Sequence, residues 1–309
     1  MTDQNLLSLI GNTPLVRLRR LESKPGVKMY AKLEGQNPSG SIKDRVVIGL
    51  VKSAEERGDI RPGHTIVEAS SGNTAIALAM ACRQRDYQVH VVIPEDAAPN
   101  IGDILHAYGA EVTWCESNAG MNRAIELAKE IAEERDGYYL GQFSDEVNVR
   151  THYQTTGEEI VEALPRVDAF VAGIGTGGTI MGVGRRLREA NPDVQIVGVE
   201  PRMGEKLHGL RSLSESFAPP LLDLDLLNSR FLVDSATAIK ATRRIIREEG
   251  ILAGISAGAT LSVAVRWAER MESGTIVIMF SDGAWKYLPA RPWDAADRGD
   301  EELDEIYWW

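Results

Sequence analysis

A lysine stands where a helix should disfavour it. In Asn37-Pro38-Ser39-Gly40-Ser41-Ile42-Lys43-Asp44-Arg45 the opening residues are turn formers. Ser41 and Asp44 make a capping-box-like pair ahead of the apolar run Val46-Val47-Ile48. Lys43 then falls in the first helical turn, where the dipole opposes a cation. An amine partly desolvated there favours its neutral form, and a neutral amine can form a Schiff base with an aldehyde. Taken alone, a surface lysine is the plainer reading.

Two further stretches suit anions. Gly173-Ile174-Gly175-Thr176-Gly177-Gly178 fits G-x-G-x-x-G, follows a strand-like run and precedes the helical TIMGVGRRLREA. Backbone N–H groups at such a helix start can cradle a phosphate. Two ligands stay open. One is a dinucleotide, with Glu200 on a ribose; the other is a single phosphate monoester held by Gly175, Thr176, Gly177, Gly178 and Thr179. No G-x-x-x-x-G-K-[ST] occurs, so a P-loop is excluded. Ser70-Ser71-Gly72-Asn73-Thr74 gathers hydroxyls and an amide at a strand end, which suits a carboxylate or an ordinary N-cap. Ser256 opens a helix after ILAGI and alone reads as an N-cap; Gln142 ends a strand; His152 reads as structural.

These residues need elements to hold them. Strand-like runs are VKMYAKLE (27–34), TIVEAS (65–70), QVHVVIP (88–94), EVTWCE (111–116), YYLGQF (138–143), AFVAGI (169–174), QIVGVE (195–200), ILAGI (251–255) and TIVIMFS (275–281), with helical periodicity between most of them. The alternation predicts mostly parallel, doubly wound α/β sheets. The strands are too many for one small sheet, so two α/β domains are expected, 1–147 and 148–309, with the segment about 13–34 joining the second sheet. Ligands of such folds sit beyond the carboxyl ends of strands. SGNT, GTGGT and SAG all fall there, so several strand ends should converge on one cleft. The irregular segment 204–230 is long enough to be functional, and the acidic tail ends in Tyr307-Trp308-Trp309.

With 309 residues, 43% hydrophobic and 26% charged, the chain is expected to be a globular, water-soluble protein. A net charge of −11 argues against broad contact with nucleic acid or an anionic membrane. Cys82 and Cys115 lie in no CxxC pair or Cys/His cluster, so buried thiols are expected and no metal. MTDQNLLSLIGNTP lacks the basic start and long apolar core of a signal peptide, and no apolar run could span a bilayer. A cytoplasmic location is the default expectation.

An amine for an aldehyde, a phosphate cup, a grip on an amino acid and a serine for a ring nitrogen are together what a pyridoxal phosphate enzyme needs. IGNTPLVRL, KLEGQNPSGSIKDR, EASSGNTAIALAMA, HYQTTGEEI, GIGTGGTIMGVG, GVEP and GISAGA, in this order, resemble the cysteine synthase (O-acetylserine sulfhydrylase) family of fold-type II pyridoxal phosphate enzymes. The nearest likeness is to the cysteine synthase B subgroup, including its O-phosphoserine-using branch. The resemblance implies a tryptophan synthase β-like architecture and a homodimer. It implies β-replacement of O-phosphoserine or O-acetylserine, through an α-aminoacrylate, by sulfide or a thiocarboxylated carrier protein to give L-cysteine. It implies Lys43 as the residue bound to the cofactor and as general base. Asn73 is implied at the pyridoxal 3′ oxygen, Gly175 to Thr179 at the phosphate and Ser256 at the pyridine nitrogen. Ser70, Ser71, Asn73, Thr74 and Gln142 are implied at the substrate carboxylate. Ser70 and Ala75 depart from the family's usual threonine and glycine, and Ala75 is expected to narrow the site. Arg211, in GLRSLSESF, suits a substrate phosphate, and the EELDEIYWW tail suits a lid. Cystathionine β-synthase and diaminopropionate synthase are the nearer alternatives; a nicotinamide-dependent dehydrogenase is the different-chemistry one.

Overall fold

The alternation of short apolar runs with amphipathic ones produces two open sheets wrapped by helices. The structure is a computed structural model, and it describes residues 5–70, 72–95, 97, 99–116, 120–205, 207–214 and 218–290. In chain order the elements are β1 (Leu15–Arg17), β2 (Val27–Leu33), α1 (Lys43–Arg57), β3 (Thr65–Ala69), α2 (Asn73–Gln84), β4 (Gln88–Pro94), α3 (Pro99–Ala107), β5 (Glu111–Cys115), α4 (Gly120–Glu134) and β6 (Tyr138–Tyr139). They continue with α5 (Val147–His152), α6 (Glu158–Ala163), β7 (Ala169–Gly173), α7 (Gly178–Ala190), β8 (Gln195–Pro201), β9 (Ser229–Val233), α8 (Ser235–Arg244), α9 (Ile255–Ala268) and β10 (Gly274–Phe280).

A six-stranded sheet runs β1-β2-β10-β7-β8-β9 and a four-stranded sheet runs β5-β4-β3-β6. Every pairing is parallel except the β1–β2 hairpin. Side chains alternate across each sheet with period two. Ile276, Ile278 and Phe280 of β10 therefore meet α8 and α9, while Val277 and Met279 pack toward α7. Both faces are buried, which is why these strands read as continuous apolar runs. In the smaller sheet Ile66 packs with α1 and α2, and Val67 and Ala69 pack with α4.

Some local expectations are corrected. ILAGI is not a strand: Gly254 is the N-cap of α9, and Ala253 makes an isolated bridge to Gly283. Only Ile255 of the run is helical and Leu252 is 48% exposed, so this short apolar run marks the approach to a helix and not a strand. YYLGQF pairs only over Tyr138 and Tyr139, and Gly141, at φ 72°, then turns the chain. β1 and β9 were not anticipated. At α1 the Lys43 N–H donates to Ser41 Oγ at 3.3 Å, but Asp44 reaches back to the Ser39 N–H at 2.7 Å, two residues before the partner the sequence suggests.

A buried ionic network fixes the angle of α1. Arg45 Nε donates to Glu34 Oε2 at 2.7 Å and Arg45 Nη1 to Glu159 Oε1 at 2.6 Å. Lys32 Nζ reaches Glu159 Oε2 at 2.5 Å, so β2, α1 and α6 meet at two cations and two anions. No helix among the described residues is long and apolar enough to cross a membrane.

Candidate active site

The carboxyl ends of β3, β4, β7, β8 and β10 face one cavity of about 350 Å³. Lys43, Ser70, Asn73, Thr74, Gln142, Gly175, Thr176, Gly177, Thr179, Arg211 and Ser256 all line it. The structure thus brings together nearly every residue singled out in the sequence. Gly178 lies immediately behind the wall as the first residue of α7. Ser71 and the residues from 291 onward, which include the tail proposed as a lid, lie outside the described residues.

Lys43 opens α1, and what accessible surface it has faces the cavity. Burial lowers its ammonium pKa from 10.5 to about 8; the Arg211 cation pushes the same way, and the Asp282 carboxylate opposes both. The amine is therefore much nearer to neutrality at physiological pH than a surface lysine. Two neighbouring helix starts carry donors. Ser70 Oγ accepts from the N–H groups of Gly72 at 3.2 Å and Ala75 at 3.3 Å, which leaves its own proton for a ligand. Thr74 Oγ1 donates to Gln142 Oε1 at 2.6 Å, and Gln142 Nε2 donates to the Ala69 carbonyl at 3.2 Å. Ala75 is fully buried in the core behind this loop and is absent from the cavity wall, so it does not narrow the site as expected.

The glycine loop after β7 needs its glycines. Gly177 has φ 88°, a left-handed conformation that side chains avoid. A Cβ on Gly178 would lie 1.9 Å from Asn148 Oδ1. The first N–H groups of α7 have no acceptor within the helix and open toward the cavity end of β7. His152, read as structural, does support this loop: its Nδ1 meets Thr156 Oγ1 at 2.9 Å and its Nε2 meets Thr179 Oγ1 at 3.2 Å. Burial, reinforced by the cations of Lys43 and Arg45, holds His152 well below the usual imidazole range. A π turn over Tyr153–Gly157 interrupts the helix there.

Other residues at the site escaped sequence reading. Asn148 Nδ2 donates to the Gln142 carbonyl at 2.9 Å and to Thr176 Oγ1 at 3.0 Å, tying the glycine loop after β7 to the segment after β6. Glu68, fully buried in β3, accepts from the N–H groups of Ala69 at 2.8 Å and Gln142 at 3.1 Å. His208 sits over Gly72, with Nε2 2.5 Å from where a Cβ would lie, and its ring meets Tyr287 edge-on at 4.9 Å. Asp282 and Lys286 follow β10; Asp282 is the one with a sequence signal, since it ends a strand like the glycine loops. Glu200, the ribose partner of the dinucleotide reading, is spoken for. Its Oε2 accepts from the Leu213 N–H at 2.6 Å and its Oε1 lies 3.3 Å from Arg230, so it braces the loop that carries Arg211. The Arg211 guanidinium stacks 5.0 Å from the Phe143 ring centroid.

Comparison with known proteins agrees with this geometry. The family model for "pyridoxal-phosphate dependent enzyme" matches residues 6–282. A cysteine synthase of Staphylococcus aureus (strain Mu50) is 38% identical over 294 residues, spanning 92% of this chain and 95% of its own length. A cysteine synthase B of Pseudomonas aeruginosa is 39% identical over 286 residues, spanning 92% and 96%. The crystal structure of an O-ureido-L-serine synthase superposes with a TM-score of 0.91 at 35% identity, covering 98% of both chains.

Proposed function

The chain belongs to the pyridoxal-phosphate dependent enzyme family, within its cysteine synthase superfamily, and from that premise we propose that it makes L-cysteine from O-phosphoserine. Its fold is the fold-type II, tryptophan synthase β-like one, its cofactor is pyridoxal phosphate, and its chemistry is β-replacement. The two sheets then correspond to the domains 1–147 and 148–309, with about 13–34 contributed to the second.

The residues present fit the cofactor. An amine of lowered pKa, the glycine-rich start of α7 and the hydroxyl of Ser256 line one cavity. Lys43 would hold the aldehyde, Gly175, Thr176, Gly177, Gly178 and Thr179 the phosphate, Ser256 the ring nitrogen and Asn73 the 3′ oxygen. When bound, pyridoxal phosphate supplies an electron sink that stabilises negative charge at the substrate Cα. Lys43 Nζ takes the proton from Cα and later returns it; an amine with a pKa of about 8 can do both near neutral pH. Ser70, Asn73 and Thr74 orient the substrate carboxylate from the start of α2, with Gln142 bonded to Thr74 beside them, and Ser71 is assigned the same role.

Arg211 carries the choice of substrate. It shares the cavity with Lys43, and a guanidinium grips a phosphate by two parallel hydrogen bonds where it finds little purchase on an acetyl group. Sulfide or a thiocarboxylated carrier protein is the sulfur donor, and the working form is a cytoplasmic homodimer. Steady-state kinetics of Arg211→Ala test the assignment. Loss of a charge-assisted contact predicts a fall of ~10- to 100-fold in kcat/KM for O-phosphoserine, with O-acetylserine changed by less than about threefold. Equal losses on both substrates overturn it.

A further inference from the structure

Lys286, Asp282 and Tyr287 form a buried polar cluster against Asn73, just past the end of β10. Lys286 is 2% exposed and Asp282 3%. The Lys286 ammonium donates to Asn73 Oδ1 and, at 3.2 Å, to the Gly40 carbonyl. Asn73 Nδ2 donates to Asp282 Oδ2 at 2.7 Å, and the Tyr287 hydroxyl donates to the same oxygen. Lys286 Nζ lies 3.7 Å from Asp282 Oδ2. The Lys286 backbone is itself anchored, because its carbonyl accepts from Asn100 Nδ2 at 2.8 Å.

A primary amide has two opposite ends that exchange by a half-turn about its last torsion. In Asn73 an ammonium holds the oxygen and a carboxylate holds the nitrogen. The flipped amide would set its carbonyl against the Asp282 carboxylate and its NH₂ against the Lys286 ammonium. Both contacts are repulsive, and both lie where water does not screen them. A lone Asn at a helix start has no such preference. Burying a lysine and an aspartate is costly, and an ordinary core contact of the Asn would not need either charge.

We propose that Lys286 and Asp282 are positioning residues that lock the Asn73 amide in one orientation, its oxygen on the ammonium and its nitrogen on the carboxylate, leaving an N–H rather than a carbonyl as what Asn73 can offer the cofactor. This rests on the assignment of Asn73 to the 3′ oxygen. An N–H donor stabilises the ionised form of a ring hydroxyl, whereas an inverted carbonyl disfavours it. The lock therefore sets the ionisation of the bound cofactor as well as its retention; Lys286 acts through Asn73, while Asp282 also acts directly on the Lys43 ammonium.

The test compares the holoenzyme with Asn73→Ala, Lys286→Met, Asp282→Ala and the two doubles that join Asn73→Ala to each of the others. The readouts are the ratio of the cofactor's visible to near-ultraviolet absorbance across pH and the rate of cofactor loss on dialysis. Asn73→Ala, Lys286→Met and Asp282→Ala should each shift the ratio toward the near-ultraviolet and loosen the cofactor by on the order of tenfold. On the Asn73→Ala background, Lys286→Met should add less than about twofold, and Asp282→Ala should keep only its direct effect on Lys43. If Asn73→Ala shifts the bands while Lys286→Met and Asp282→Ala do not, the lock is wrong and the Asn73 assignment stands. Full additivity in the doubles reduces the pair to core packing and overturns the lock as well. If Asn73→Ala leaves the bands unchanged, the assignment itself falls and the lock with it. Should Lys286→Met fail to fold, Lys286→Gln and its double with Asn73→Ala decide the matter by the same outcomes.

Discussion

Replacing Glu68 by Gln should change how stability depends on pH. Glu68 is fully buried in the middle of β3, directly beneath the start of α2. Burial raises its pKa from 4.5 to about 7, against the opposing pull of the backbone N–H groups of Gln142 and Ala69. Below pH 4.5 the folded and unfolded chains both carry this proton. Between 4.5 and about 7 the folded chain keeps it and the unfolded chain has lost it. Stability from this site is therefore fully present at low pH and is lost as pH rises through about 7. From pH 5 to pH 8 the loss amounts to roughly 2–3 kcal/mol. Gln is neutral throughout, so it removes that slope. It also turns an NH₂ toward one of the two N–H donors now facing the carboxylate, a cost of about 1–3 kcal/mol at every pH. The variant should be clearly less stable than the parent at pH 5 and close to it, or above it, at pH 8. The constant cost cancels when the two gaps are subtracted, and that difference is the diagnostic number. Urea unfolding of both holoenzymes at pH 5, 6, 7 and 8 measures it. A gap that stays constant within about 0.5 kcal/mol means Glu68 is ionised throughout and the burial argument is wrong.

Lys43→Ala should fold, carry no borohydride-reducible cofactor and show no β-replacement; normal turnover would return Lys43 to an ordinary helix start. Arg45→Met should cost about 3–5 kcal/mol at pH 7 by urea unfolding, because it strands Glu34 and Glu159. Burial works against the Glu159 charge, but Arg45 and Lys32 hold its pKa at about 2, so the network's contribution is present above pH 4.5 and is lost as pH falls through 2. Gly178→Ala should weaken cofactor binding by on the order of tenfold or more in a fluorescence titration, since its Cβ would displace Asn148 and break the tie to Thr176.

What the sequence disclosed and what it hid divide along a physical line. Lys43, the SSGNT turn and the glycine loop act through the backbone they sit on: a helix start, a strand end, a run without side chains. Local composition specifies those features, so they are legible in a single chain. Asp282 and Lys286 act on Asn73 across 209 and 213 residues of chain, and nothing in the composition of SDGAWKYL records that contact. Asn148 and Glu68 likewise matter through what packs on them, namely Thr176 and the backbone of Gln142. Glu200 shows the same limit from the other side. Its place at a strand end suits a ribose partner, and only the approach of Leu213 and Arg230 reveals a brace for the loop that carries Arg211. ILAGI fails for a different reason. A short apolar run reads as a strand by composition, but 251–254 form an irregular lead into α9, capped by Gly254 and pinned only by the bridge from Ala253 to Gly283. Strand ends therefore located the cleft, while the residues that tune its lysine and hold its amide required the two sheets to be brought together.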